Sequence, residues 1–164
     1  MRNGYALCTR AGLDAITEHL STLKPAQLDI LRGKLCIGIH HNVEVTDADG
    51  ENHPFVSQAF CSALPVAYSP LSAHCWQAFA SLVLEAAYEA TMMSAVLKAQ
   101  SGASNVVFLT RLGGSAFGNG DSWINDAMSR ALSMMSSVGL DVRIVSHSKP
   151  STAITELANR FRLY

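Results

Sequence analysis

The sequence has few charged residues and no run of positive charge. Charged residues make up 15% of the 164 positions, and the formal net charge is −1. Nucleic acids and anionic membranes attract clusters of lysine and arginine, so we expect neither as a partner. The first ten residues lack the apolar segment of a signal peptide, and no stretch is judged long enough to span a membrane. These absences predict a cytosolic or nuclear protein, with the cytoplasm as the default.

Cysteine and metal-binding patterns are also sparse. The four cysteines form no Cys-x-x-Cys pair and are expected to be reduced, mostly buried thiols. Cys61 could be a nucleophile, but no activating base lies near it in sequence, so we interpret it as a strand-end residue. His40, His41 and His53 have no spacing typical of a metal site, and a calcium loop starting at Asp47 would end on Gln58 instead of glutamate. We predict no metal and no cofactor.

What the sequence does contain is apolar residues, 49% of the chain, in periodic segments. The length predicts one domain, residues 1–164, with a hydrophobic core. Three- and four-residue spacing predicts helices over residues 12–23, 25–32, 73–100 and 121–137 and from 151 onward. Alternation and short apolar runs predict strands over 35–46, 56–68, 105–110 and 140–146. The first two strands should form a hairpin around the turn 47–53, and the last two, joined by a helix, should be parallel. The predicted class is α/β.

A glycine-rich turn, GGSAFGNG at residues 113–120, lies between a predicted buried strand and a predicted helix. Backbone N–H groups and the helix dipole converge on an anion at such a turn, which favours a phosphate-bearing ligand. Many α/β crossovers need glycine there and bind nothing. The turn has neither a Walker lysine nor a dinucleotide-binding pattern, and Phe117 stands where a nucleophile elbow needs glycine. Phe117 either stacks on a ribose or base or anchors the loop to its own domain.

Glu44, Asp47 and Asp49 form the only acidic cluster near a predicted strand end. Fixed carboxylates there could act as general acid or base, or polarise a water molecule. The alternative is a solvated turn without chemistry.

Several segments resemble the macrodomain superfamily. VLEAAYEATMMSAVLKAQ, VVFLTRLGGSAFGNGDSWINDAMSRAL and LDVRIVSHSKP are similar to the second half of a macrodomain. IGIHHNVEVTD, FVSQAFCSALPVAYS and LGGSAFGN resemble the branch of MavL-type ADP-ribosyl hydrolases, related to the poly(ADP-ribose) glycohydrolases. The resemblance spans nearly the whole chain and implies a three-layer α/β/α sandwich with a mixed sheet. The family's additional strand upstream of Asn3-Gly-Tyr5 is expected to be missing.

The resemblance also implies a ligand and a reaction. ADP-ribose would be held through its pyrophosphate and distal ribose, with Phe117 against the ribose. The implied activity is removal of ADP-ribose from protein side chains, arginine especially, with Glu44, Asp47 and Asp49 as the available catalytic acids. Asn42 stands where the family has an acid, so a module that binds without hydrolysing, or an interaction domain without a pocket, stays open, as does a homodimer that completes the pocket. The implied ligand-binding residues are Gly113, Gly114, Ser115, Ala116, Phe117, Gly118 and Asn119.

Overall fold

Our computed structural model describes residues 4–50 and 53–162 of the chain. The fold is mixed α/β, as predicted. The elements are α1 (Arg10–Thr22), α2 (Pro25–Arg32), β1 (Gly38–Glu44), β2 (Phe55–Phe60), a 3₁₀ turn (Val66–Tyr68), α3 (Ala73–Gln100), β3 (Val106–Leu109), α4 (Asp121–Met134), β4 (Asp141–Ile144) and α5 (Thr152–Arg160).

Helix α3 lies at the centre of the core. Its N-terminal half buries Trp76 against Leu13 of α1, and its C-terminal half buries Met92 in a second cluster with Met128 of α4. Two clusters on one helix require apolar residues on more than one of its faces, which is why α3 is apolar throughout.

The same apolarity corrects the expectation about membrane spans. By length and composition α3 could cross a membrane: its most apolar 18-residue window has a mean hydropathy of 1.2. A third of that window is buried inside this fold, and core helices of soluble proteins meet the same criterion. One such helix is weak evidence for membrane insertion.

An ion-pair network joins α2, α3 and α4 on the outside of the core. Arg130 of α4 donates from Nε to Glu89 Oε1 (2.5 Å) and from Nη2 to Asp29 Oδ1 (2.6 Å). Arg32 of α2 also binds Asp29 and reaches Glu85 of α3 at 2.6 Å. Each arginine bridges two carboxylates, one of them on α3, and so links the helices by charge-assisted hydrogen bonds.

The strands form two separate two-stranded sheets. β1 and β2 are antiparallel, and β3 and β4 are parallel, as predicted for the βαβ unit. No ladder joins β2 to β3 within the described residues, so one continuous mixed sheet is not formed there. Strand content is accordingly low, and the predicted three-layer sandwich is not confirmed.

The first hairpin contains a β-bulge at Asn42. His40 pairs with Gln58 but Val43 pairs with Val56, so β1 has one extra residue between these pairs. Asn42 takes a left-handed conformation (φ 55), which asparagine tolerates better than most residues. The two strands were predicted to extend over residues 35–46 and 56–68, and both are shorter.

The second strand ends early because the chain turns inward after Phe60. Ala63, Leu64 and Val66 are buried, and Val66–Tyr68 forms the 3₁₀ turn. Pro65 is the N-cap of that turn; it has no N–H for a sheet ladder. Residues 63–67 thereby become the support beneath the glycine-rich turn.

Candidate functional site

The glycine-rich turn follows the carboxyl end of β3 and leads into α4, as the sequence predicted. Gly113 and Gly118 have positive φ values of 74 and 67. A Cβ on Gly113 would lie 2.3 Å from Ala63 Cβ, and one on Gly118 would lie 2.8 Å from Ala67 Cβ. These two glycines are therefore required by close packing on residues 63–67, whether or not a ligand binds.

Asn119 holds the turn against the same support. Its side chain is buried, and its Nδ2 donates to Leu64 O at 2.8 Å. The N–H of Ala67 donates to Phe117 O at 2.9 Å, and the N–H of Asn119 donates to Gly113 O at 3.0 Å. The loop is thus fixed at both ends before any ligand arrives.

Tyr88 of α3 fixes the start of the turn. Its hydroxyl donates to Thr110 O at 2.7 Å and accepts from the N–H of Leu112 at 2.9 Å. Burial raises the pKa of Tyr88 to about 12, partly offset by the hydrogen bond from Leu112. A neutral phenol is therefore a permanent part of the turn at physiological pH, and no feature of the sequence indicated this role.

The outer part of the turn exposes backbone donors. Ser115 and Ala116 are exposed and Phe117 is half-buried. Within residues 4–50 and 53–162, the N–H groups of these three consecutive residues have no protein acceptor. They lie just before the N-terminus of α4, whose first N–H groups are also without intrahelical partners. This arrangement can receive an anion.

A cation accompanies these donors. Arg111 precedes the turn, and its Nη2 binds Asp121 Oδ1 of the first turn of α4 at 2.5 Å. The Nε of Arg111 is buried without a protein hydrogen-bond partner among the described residues. Arg111 therefore offsets the carboxylate of Asp121, which would otherwise repel an anion at the helix N-terminus.

Phe117 belongs to an aromatic group with Tyr5 and Tyr68. Its ring lies edge-on to Tyr68 (centroids 5.5 Å apart) and to Tyr5 (6.1 Å), and it packs against the main core cluster. In this structure Phe117 therefore anchors the loop to its own domain, one of the two roles expected from the sequence. Its contact with a ribose stays a prediction. Tyr5 and Tyr68 are more than one-third exposed and were not singled out from the sequence.

The three acids lie at the end of the hairpin. Glu44 Oε1 is 3.1 Å from His53 Nδ1, whereas Asp47 and Asp49 are exposed in the turn after β1. Neither of the two cavities described below is lined by these acids or by residues 113–119. Glu44 ends β1 and the two aspartates lie in the turn that follows it, and neither cavity joins them to the glycine-rich turn among the described residues.

Cysteine and histidine show no activated arrangement. Cys61 Sγ lies 4.0 Å from Thr91 Oγ1, and burial raises the pKa of the Cys61 thiol, which disfavours the thiolate. All four cysteines are free thiols, but only partial burial is observed, and Cys36 is exposed, so the expectation of mostly buried cysteines was wrong. Among the described residues, no three His, Cys, Asp or Glu side chains converge.

Two cavities were not anticipated from the sequence. One of about 640 Å³ lies between β2, β3 and α3. The other, of about 560 Å³, lies between β4, α5 and the end of α4. Local sequence patterns could not predict these cavities, because each is lined by elements that are distant in sequence.

Comparison of this chain with protein-family models, curated proteins and solved structures found no match.

Proposed function

We propose that the chain is a macrodomain-like module that binds ADP-ribose, or a conjugate of it, at residues 113–119. The observation that supports this most directly is the row of three N–H groups, on Ser115, Ala116 and Phe117, that have no acceptor among the described residues. They follow the carboxyl end of a strand in a βαβ unit, where α/β proteins bind phosphate-bearing ligands. The diphosphate would accept from these groups.

The anchored turn favours binding because little conformational entropy remains to be lost. Tyr88 and Asn119 already hold the two ends of the loop by hydrogen bonds of 2.7–2.9 Å. Rigid, preformed donors bind an anion more tightly than donors that must first be ordered. Arg111, paired with Asp121, would keep the carboxylate at the helix N-terminus from repelling the diphosphate.

The aromatic group supplies a surface for the rest of the ligand. Tyr5, Tyr68 and Phe117 are mutually edge-on and partly exposed, so a ribose or base could pack on a ring face. Phe117 is in the loop itself, which would place ring and phosphate contacts on one ligand.

Hydrolysis of a protein-linked ADP-ribose is the second proposed function. Three acids at one strand end, one of them paired with His53, are the observation that favours it. Water would attack C1″ of the ribose while the glycosidic bond to the side-chain nitrogen breaks. One carboxylate would take the proton from water, and a carboxylic acid of the same group would give its proton to the released amine or guanidine. No hydrogen bond among the described residues links these acids to residues 113–119, so binding without turnover is the better-supported function.

Isothermal titration with ADP-ribose tests the binding site. Ala116 is exposed, so Ala116→Asp should place a negative charge beside the donors and weaken binding by about tenfold or more. Ala116→Asn has nearly the same shape and should bind like the parent chain. Loss of binding in both variants, or in neither, would contradict a phosphate site here.

Turnover is tested with arginine-ADP-ribosylated protein and a readout of released ADP-ribose. If the acids are catalytic, Asp47→Asn combined with Asp49→Asn should abolish release while ADP-ribose binding is unchanged. Full turnover in that double variant would leave Glu44 as the candidate acid. If the parent chain binds ADP-ribose but releases none from the modified protein, it is a module that binds without hydrolysing. Sedimentation of the parent chain tests the homodimer, which stays a prediction.

A further inference from the structure

Strands β2 and β3 each have a free edge, and the two edges border the same cavity. β2 pairs only with β1 and β3 only with β4 within the described part of the chain. The cavity is lined by every residue of 55–61 and every residue of 106–110. Because successive side chains of a strand point to opposite faces, a cavity lined by consecutive residues of both strands runs along their backbone edges.

Helix α3 forms the floor of this cavity. The residues of α3 that form this floor are Tyr88, Thr91, Ser94, Ala95 and Lys98. Most of them are small or polar, so their side chains leave room in the cavity. A six-residue strand is about 20 Å long and takes up about 4.8 Å of sheet width. The cavity has a volume of about 640 Å³ and is bordered by both strands along their length.

The walls are unusually apolar for exposed strands. All six residues of β2 are exposed, and Phe55, Phe60 and Phe108 have 67%, 58% and 61% of their surfaces accessible. An isolated two-stranded hairpin is marginally stable in water, and proteins normally protect free edges with charge, proline or a cover. Within residues 4–50 and 53–162, Lys98 is the one charged side chain that lines this cavity, and no proline or covering element lines it.

We propose that an extended peptide from a partner protein inserts between β2 and β3 and joins the two sheets into one. The resulting order would be β1, β2, the peptide, β3 and β4, with main-chain hydrogen bonds to both neighbours. This proposal does not depend on ADP-ribose binding.

The lining indicates which peptide fits. One row of its side chains would face the small floor residues Ser94 and Ala95, which favours valine-sized groups, and aromatic walls favour apolar neighbours. Lys98 is the only side chain with a full charge among the described lining residues, and its Nζ is held only by a 3.4 Å contact to Asn42 Oδ1. The peptide should therefore have an acidic residue at the end that reaches Lys98.

Hydrogen exchange with a synthetic peptide tests the insertion. The probe is a nine-residue peptide of alternating valine and threonine with a glutamate at each end. We expect amides in both β2 and β3 to become protected by about tenfold or more, because each edge gains hydrogen bonds. The matched control has the same side chains with every second amide N-methylated, which removes the donors along one edge only; it should leave one of the two strands unprotected. With the unmethylated probe, protection of one strand alone, or of none, would overturn the proposal.

Two variants locate the peptide. Ser94→Trp fills the floor and should abolish binding, whereas Met93→Trp, on an exposed neighbouring position outside the cavity, should not. Lys98→Glu should reverse the preference, so that a probe with lysine ends binds better than one with glutamate ends. If Lys98→Glu left the preference unchanged, the acidic end of the peptide would not lie at Lys98, and this part of the proposal would be wrong.

A second copy of the chain is the competing occupant. If protection of both edges appears without peptide, rises with protein concentration and accompanies dimer formation in sedimentation, the partner-peptide proposal is wrong. Retained ADP-ribose binding in Ser94→Trp would show that the cavity and the glycine-rich turn act separately.

Discussion

At the scale of single residues, two glycines with similar positive φ values have different reasons to be glycine. Gly113 has both a positive φ and a neighbour, Ala63 Cβ, that would be 2.3 Å from an added Cβ. Gly139 has a similar φ of 71 but nothing within 4 Å. We expect Gly113→Ala to lower the free energy of unfolding by about 2–4 kcal/mol through strain and overpacking, and Gly139→Ala by about 1–2 kcal/mol through strain alone. Urea unfolding measures both, and equal losses would contradict the packing argument.

Tyr88 gives a pH prediction. Burial raises the folded-state pKa of Tyr88 from the ordinary 10.0 of a tyrosine to about 12, so the fold favours the neutral phenol. The stability from this preference is fully present below pH 10 and is lost as the pH rises toward 12. The loss should be about 2–3 kcal/mol. Other groups also titrate between pH 10 and 12, so the matched control is Tyr88→Phe. This variant should be less stable than the parent chain at pH 8. Its free energy of unfolding should also fall less steeply with pH above 10. Parallel pH profiles would show that Tyr88 does not titrate as described.

At the scale of elements, the helices are held by the core and by the ion pairs of Arg130. Glu89 is 13% exposed and binds Arg130, whereas Asp14 is 56% exposed and binds Arg10. Removing one member of a partly buried pair leaves an uncompensated charge, so we expect Glu89→Gln to cost about 1–3 kcal/mol of unfolding free energy. Exposed pairs contribute little, so Asp14→Asn should cost less than about 0.5 kcal/mol. A similar small effect in both would indicate that the network does not hold α3 against α4.

The bulge in β1 has a local test. Asn42 adopts φ 55, a conformation in which alanine is strained and glycine is not. Asn42→Ala should therefore increase hydrogen exchange across β1 and β2, while Asn42→Gly should leave it near the parent rate. Faster exchange in Asn42→Gly as well would point to the Asn42 side chain, including its contact with Lys98, as the stabilising feature.

At the scale of the whole molecule, the two separate sheets are the feature that most affects function. The turn at residues 113–119 is fully supported by α3, α4 and residues 63–67. The hairpin that carries Glu44, Asp47 and Asp49 has no backbone ladder to β3. We therefore expect ADP-ribose to protect the amides of residues 113–119 from exchange with little effect on the hairpin, whereas a strand inserted beside β2 would protect the hairpin. Protection of the hairpin by ADP-ribose alone would instead place the acids at the ligand.

The sequence by itself determined the features that depend on neighbours along the chain. Helix α3 begins and ends where its periodicity predicted, β3 and α4 flank the glycine-rich turn, and β3 and β4 are parallel because a helix connects them. Proline at the start of α2 and serine at the N-cap of α5 are local signals with local effects.

Only the tertiary structure decided what distant residues do to one another. That Gly113 meets Ala63, that Tyr88 holds Leu112, and that β2 does not pair with β3 depend on separations of 20 residues or more. Alternation along β1 and β2 predicted strands but could not identify their partners, because a strand pattern specifies which faces are apolar and leaves the edge partner open. The site and the cavity are both consequences of such pairings, so their residues could be proposed from the sequence while their arrangement could not.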